Sequence, residues 1–283
     1  MTNSIIKQTT SGIRLILYIA SFLVLSVSLS LFFFPEHTAV YFSWTINPPL
    51  TAAFLGAGYL SSFLLEFLSA KEKVWAKARP AIPAVWVFTF LTLIVTLLHI
   101  DRFHFDSALL ITTVGTWVWL AVYIGVPIAM GILWIHQVRQ SGGDPPRVAS
   151  LPRWLLLALL LQGAIMFLIG GVMLVFPDLI IPVWPWGLSP LTGRAIGAWG
   201  VGIGIIALQA TWENDWMRLF PTMVSYSLYG ILQLFNILRF YSSIDWTVSA
   251  IFYLVFITSI FLVGSFGMWR ALSVKRLHEN QHA

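Results

Sequence analysis

Eight runs of mostly apolar residues, each long enough to cross a bilayer, recur along the chain: roughly 13–34, 50–70, 81–100, 109–135, 154–176, 190–210, 220–238 and 246–270. A spanning helix needs about 20 such residues, because hydrocarbon offers no water to an open backbone and a helix satisfies its own. The runs lack the one-sided polarity of a surface helix. They predict an all-α, polytopic transmembrane helical bundle of eight spans. Composition agrees, with 58% hydrophobic and only 10% charged residues, against about 45–50% and about 25% in soluble chains. A soluble enzyme, a disordered chain and a nucleic-acid binder are thereby excluded. With no cysteine, so are disulfides, thiolate metal sites and catalytic thiols. The first run has a basic flank in Lys7 and Arg14, but its apolar stretch from Leu15 to Phe34 exceeds the ~7–15 residues of a signal-peptide core. It reads as a retained span.

Threading eight spans from a cytoplasmic N-terminus places thirteen of the sixteen Lys and Arg residues on the cytoplasmic side. The other side receives Arg102, Arg194 and Arg239. Lys and Arg concentrate in cytoplasmic loops, so both termini are expected in the cytoplasm and the protein in the plasma (cell inner) membrane. The formal charge of +5 then reports orientation and requires no acidic partner.

The first four runs resemble the last four. Phe34-Pro35-Glu36 aligns with Phe176-Pro177-Asp178, Trp44 with Trp186, Pro49-Leu50-Thr51 with Pro190-Leu191-Thr192, and Gly56-Ala57 with Gly197-Ala198. In the following loops Glu72, Trp75, Lys77 and Pro80 align with Glu213, Trp216, Arg218 and Pro221. Apolar matches arise by chance in such chains, whereas Pro, Trp and charged matches in loops carry weight. Two tandem four-helix repeats follow, residues 1–139 and 153–283, joined by a flexible polar Gly/Pro linker at 140–152. Four is even, so both repeats enter with the same polarity and the relating axis runs along the membrane normal.

The candidate ligand-binding residues are Glu66, Arg194, Trp44, Trp186, Gly56 and Gly197. Glu66 and Arg194 are charges inside spans, which mark function by default. Each lacks a counterpart in the other repeat, where Ala207 and Ala53 stand. The bland alternative pairs Glu66 with Arg14, and Arg194 with Glu36 or Asp178. Trp44, Trp184 and Trp186 are placed for an outer aromatic belt, and Trp75 and Trp216 for an inner one; ligand stacking is the alternative. Gly193, Gly197, Gly200 and Gly204 space two G-xxx-G motifs on the sixth helix, while Ala53, Gly56 and Ala57 give the second a weaker small-residue face. Small residues let membrane helices approach closely, so both helices are expected to lie centrally, or else to line a cavity. Asn47 and Ser189, each before a proline, read as N-caps. The basic stretch from Lys71 to Arg79, with Trp75, fits either orientation setting or anionic headgroups.

His99, Asp101, His104 and Asp106 carry metal-ligand chemistry, but the two histidines are five apart rather than on one helical face. They remain weak metal candidates. No phosphate loop, H-E-x-x-H or G-x-S-x-G motif is present, and no cofactor is implied. The reading is a non-enzymatic binding or scaffold protein for an apolar ligand, lipid or membrane partner, itself or another protein. The alternative is a transporter of a small or apolar solute between parallel halves, with Gln162, Gln209, Gln233 and Asn236 lining its path. A membrane enzyme ranks third.

Overall fold

The computed structural model describes residues 5–282, with side chains through Leu277. Among these residues there is no strand, and eight helices have 18 or more residues. They are α1 (Ser11–Phe33), α2 (Pro49–Lys71), α3 (Ala81–Leu98), α4 (Leu110–Val138), α5 (Arg153–Val175), α6 (Pro190–Glu213), α7 (Trp216–Arg239) and α8 (Val248–His282). Seven of them are also apolar enough to cross a membrane. The exception is α7. Its polar side chains are turned onto α2: Gln233 Nε2 donates to the Phe54 carbonyl at 3.1 Å, Asn236 Nδ2 to that of Ala53 at 3.0 Å, and Ser225 Oγ to that of Ser61 at 2.8 Å. Its polarity is therefore buried against protein, where a hydropathy count alone reads it as unsuited to lipid.

The helices pack in matched pairs. α1 lies along α2 and α5 along α6, while α3 packs on α4 and α7 on α8. The most extensive contacts between these pairs are α7 on α2 and α3 on α6. This leaves α2 and α6 as the most enclosed helices, 78% and 67% buried over their apolar windows, against 28–50% for the other five candidate spans. The expected central position of the second and sixth helices is observed. Most of the glycines act toward outer neighbours, however. A Cβ on Gly56 would stand 2.5 Å from the Phe32 nitrogen of α1, and one on Gly197 2.7 Å from the Gly170 carbonyl of α5. Gly200 and Gly204 also face α5. Between α2 and α6 the wedge is Trp199, whose ring lies against Gly58, edge-on to Tyr59 at 4.9 Å and 4.2 Å from Phe88 of α3.

The segment before α1 lies against the ends of other helices: Lys7 N–H donates to the Gly143 carbonyl, Thr9 N–H to that of Lys73, and Lys7 Nζ to that of Val138. Late in α8, Trp269 and Arg270 share a pocket with Pro152 and Trp216. Both terminal segments therefore lie at one end of the bundle, called here the terminal end; the other is the far end. The extreme residues, 1–4 and 283, lie outside the described residues.

Three local expectations are corrected. The linker is not a loose break: Arg147 Nε donates to the Glu213 carbonyl, Leu151 N–H to Asn214 Oδ1 at 2.9 Å, and Trp216 N–H to the Ala149 carbonyl at 3.0 Å. A Gly/Pro composition raises chain freedom, but these acceptors fix it. Ser189 does cap α6, forming a reciprocal capping box with Thr192. Asn47 does not cap α2, whose N-cap is Pro48, because the helix starts one residue later at Pro49. Finally, Trp44, Trp75, Trp186 and Trp216 are all at most 4% exposed. They are core side chains: Trp44, Trp75 and Trp186 lie in connections that fold back over the helix ends, and Trp216 is the first residue of α7.

Candidate functional site

α5 and α8 each pack on an inner helix, α6 and α7, and between them they leave a cavity of about 420 Å³. α5 contributes Ile165, Met166, Ile169 and Met173 to its wall, and α8 contributes Phe252, Phe256 and Ile257. Phe54, Ile196 and Tyr229 line it from α2, α6 and α7, and Gly170 and Gly200 fill none of it. Val183 and Trp184 belong to the loop closing its far end. Ile169 and Phe252 are 42% and 68% exposed on the bundle surface, so the cavity has a mouth on the side. The volume falls within the ~300–1,000 Å³ range of small-molecule sites. Apolar cavities of this kind do not hold water well, so an apolar occupant is favoured over an aqueous one.

Its polar atoms gather at the far end. Trp184 packs edge-on to Trp186 at 5.3 Å and to Phe54 at 6.4 Å. Its Nε1 is sealed from solvent and has no hydrogen-bond partner among the described residues. Ser249 Oγ pairs with Thr247 Oγ1 at 2.9 Å. Trp186, one turn of loop away, is satisfied by Thr51 Oγ1 at 2.9 Å.

The sequence candidates are dispersed rather than gathered here. Glu66 is 2% exposed on α2. Its Oε1 accepts from Ser62 Oγ at 3.3 Å, and its Oε2 has no partner among the described residues. The expected Arg14 pairing is not formed: Arg14 Nε donates to the Ala70 carbonyl, one turn further along α2. Arg194 does not meet Glu36 or Asp178. It donates to the Leu174 carbonyl at 3.0 Å and to His99 Nε2 at 2.9 Å, while Glu36 pairs with Arg239 at 3.4 Å. Trp44 packs on Phe42, Phe103 and Trp119, and Trp186 on Phe54 and Tyr253. Gly56 and Gly197 make the helix contacts described above. Of the six, none lines the cavity; Trp186 comes nearest, through Phe54 and Tyr253.

The weak metal candidates separate as well. A guanidinium only donates, so His99 Nε2 carries a lone pair toward Arg194. Burial first, and the Arg194 charge second, hold His99 below its ordinary pKa. His104 Nδ1 donates to the Phe42 carbonyl at 3.0 Å and its Nε2 meets Thr45 Oγ1 at 3.1 Å, while Asp101 pairs with Arg102 at the surface. Among the described residues no three His, Asp or Glu side chains come together to hold a metal ion. The polar liners of the transport alternative are likewise engaged elsewhere: Gln162 with Tyr226 and Ser259, Gln209 with Glu213, and Gln233 and Asn236 with α2.

A charge cluster at the terminal end escaped the sequence reading. Glu213, fully buried, accepts from Arg79 at 2.7 Å and from Arg218 at 3.1 Å, and Asp144 of the linker pairs with both arginines. Burial alone would lower Arg79, but its hydrogen bonds to Glu213 and Asp144 outweigh that and hold it above its ordinary pKa. Its guanidinium also lies over the Trp212 ring at 4.7 Å. The basic stretch ending at Arg79, and Trp75 within it, are thus partly internal. The sequence signals were the alignment of Glu72 and Lys77 with Glu213 and Arg218, and the basic stretch that ends at Arg79. The chain matches no family model, and neither a curated protein nor a solved structure matches it.

Proposed function

We propose that this chain is a non-enzymatic integral membrane protein that takes an apolar membrane molecule into the lateral cavity between α5 and α8. The observation that carries this reading is the cavity itself: about 420 Å³, walled by aliphatic and aromatic side chains and flanked by surface-exposed Ile169 and Phe252. In this reading α7 is the eighth span, and the eight form two parallel quartets with both termini cytoplasmic. The reciprocal packing of α3 on α6 and α7 on α2 supports the duplication. The shared end of the terminal segments supports the even number of spans, and the thirteen-to-three division of basic residues supports the orientation.

A solute path through the centre has weaker support. Where α2, α3, α6 and α7 meet, the space is only about 40 Å³, edged by Ser61, Ser62, Thr222 and Ser225. That admits a water molecule or so. It does not admit a solute without helix movement.

The test is native mass spectrometry of the protein released from lipid nanodiscs. A co-retained apolar molecule is expected, and Ile169→Trp, which adds bulk at the mouth, should abolish its retention. Leu168→Trp, on the neighbouring exposed face, should not. Absence of any retained species, or retention unaffected by Ile169→Trp, would overturn the reading.

A further inference from the structure

The geometry points to Glu66 as a proton-binding site within the bundle: a neutral carboxylic acid that exchanges its proton, through Ser62, with the small polar space where α2, α3, α6 and α7 meet. This site is separate from the lateral cavity, whose lining includes neither residue. Three carboxyl side chains are buried among the described residues: Glu66, Glu213 and Asp215. Glu213 is held by Arg79 and Arg218, and Asp215 accepts from the Val148 and Met217 backbone N–H groups. Glu66 has neither kind of support. Its one hydrogen bond is the 3.3 Å contact with Ser62 Oγ, and its Oε2 has no partner among the described residues.

A carboxylate there would set a full charge against a single hydroxyl. An isolated buried charge is costly enough that the group neutralises instead. The cations on elements packed against α2 are engaged elsewhere. Arg14 of α1 donates to the Ala70 carbonyl, and Lys71 lies over the Phe67 ring. Arg79 and Arg218 are taken by Glu213 and Asp144, and Arg239 by Glu36 at the far end. α3 carries no titratable side chain. The phenols nearby are committed to other groups: Tyr59 pairs with Tyr123 of α4 at 2.7 Å, Tyr226 of α7 donates to Gln162, and Tyr18 of α1 packs edge-on to Phe67. As an acid, Glu66 can turn its O–H to Ser62 Oγ, and the oxygen left over is then an uncharged carbonyl.

Ser62 supplies the route. It bonds Glu66 and also edges the central space of about 40 Å³, with Ser61, Thr222 and Ser225. That space admits a water molecule or so. A serine hydroxyl both donates and accepts, so the acid's proton can pass to the Ser62 oxygen as the serine's own passes to water. The return transfer restores the neutral acid.

Infrared spectra of the protein in nanodiscs at pH 7 provide the test. The wild-type protein should show a carboxylic-acid carbonyl band that shifts to lower frequency on transfer to D2O. Glu66→Gln, which keeps the volume and cannot ionise, should lose that band and no carboxylate band. Absence of an acid band from the wild-type protein overturns the proposal and needs no variant to fold, as does loss of carboxylate absorption in Glu66→Gln. An acid band that does not shift in D2O also overturns it, since a sealed acid is a structural group and exchanges nothing. Ser62→Ala should slow the shift, whereas Ser61→Ala, which edges the same space without bonding Glu66, should leave its rate unchanged. Equal rates in both variants and the wild-type protein overturn the route through Ser62.

Discussion

Arg79 and Glu213 meet at 2.7 Å across 134 residues of sequence, joining the loop between α2 and α3 to the last residue of α6. Glu213 is completely enclosed and also holds Arg218, whereas Asp144, the second carboxylate of the cluster, is about one-third exposed. Removing a buried partner strands the charges left behind, at about 3–5 kcal/mol. Glu213→Gln should therefore markedly lower the thermal unfolding midpoint in detergent. Asp144→Asn should cost no more than about 1 kcal/mol, as exposed pairs do. Equal effects would refute this ranking.

Adjacent glycines on α5 give a second contrast. A Cβ on Gly170 would stand 2.7 Å from both the Gly197 carbonyl and the Val201 nitrogen of α6, while one on Gly171 meets nothing within 4 Å. Gly170→Ala should destabilise by about 1–3 kcal/mol, the cost of overpacking. Gly171→Ala should be neutral or gain up to ~1 kcal/mol from helix propensity. Chemical denaturation in mixed micelles reads both.

The His99–Arg194 contact makes the far end sensitive to acid. Burial and the neighbouring guanidinium lower the His99 pKa in the folded protein, so the unfolded chain takes up the proton more readily. The stability this contact contributes is present above the ordinary value of 6.5 and is lost as pH falls through the lower, folded-state value. His99→Gln keeps an acceptor without titrating. Its thermal midpoint should fall less than the wild-type midpoint between pH 7.5 and pH 5.5, and parallel falls would contradict the assignment.

Asn236→Leu makes α7 more apolar yet should weaken its hold on α2. The lost bond to the Ala53 carbonyl corresponds to about 0.6 kcal/mol, the average for interhelical polar contacts in a membrane. Gln233→Leu, which also frees the Phe54 carbonyl, should add a similar amount. A stabilised double variant, measured by the same denaturation, would show that these bonds do not hold the helix.

Helix positions were legible because lipid leaves the backbone few options: apolar runs of the right length must become helices, and each of the eight runs overlaps an observed one. The central place of α2 and α6 was legible too, from small residues that only close approach explains. The span count was less so: the 220–238 run reads as a span, whereas seven of the eight long helices are apolar enough to cross, and α7, with Gln233 and Asn236 turned onto α2, is not among them.

What chain order by itself determined was local and one-dimensional: which stretches are apolar, where prolines and caps begin them, and how basic residues divide between the loops. Tertiary structure alone decided which side chains meet. Arg194 takes His99 rather than a carboxylate, Glu213 collects two arginines, and the belt-like tryptophans turn into the core. It also decided that space remains between α5 and α8. The physical reason is that burial and pairing depend on the distance between elements far apart in sequence, and a cavity is a property of facing surfaces that no single helix carries.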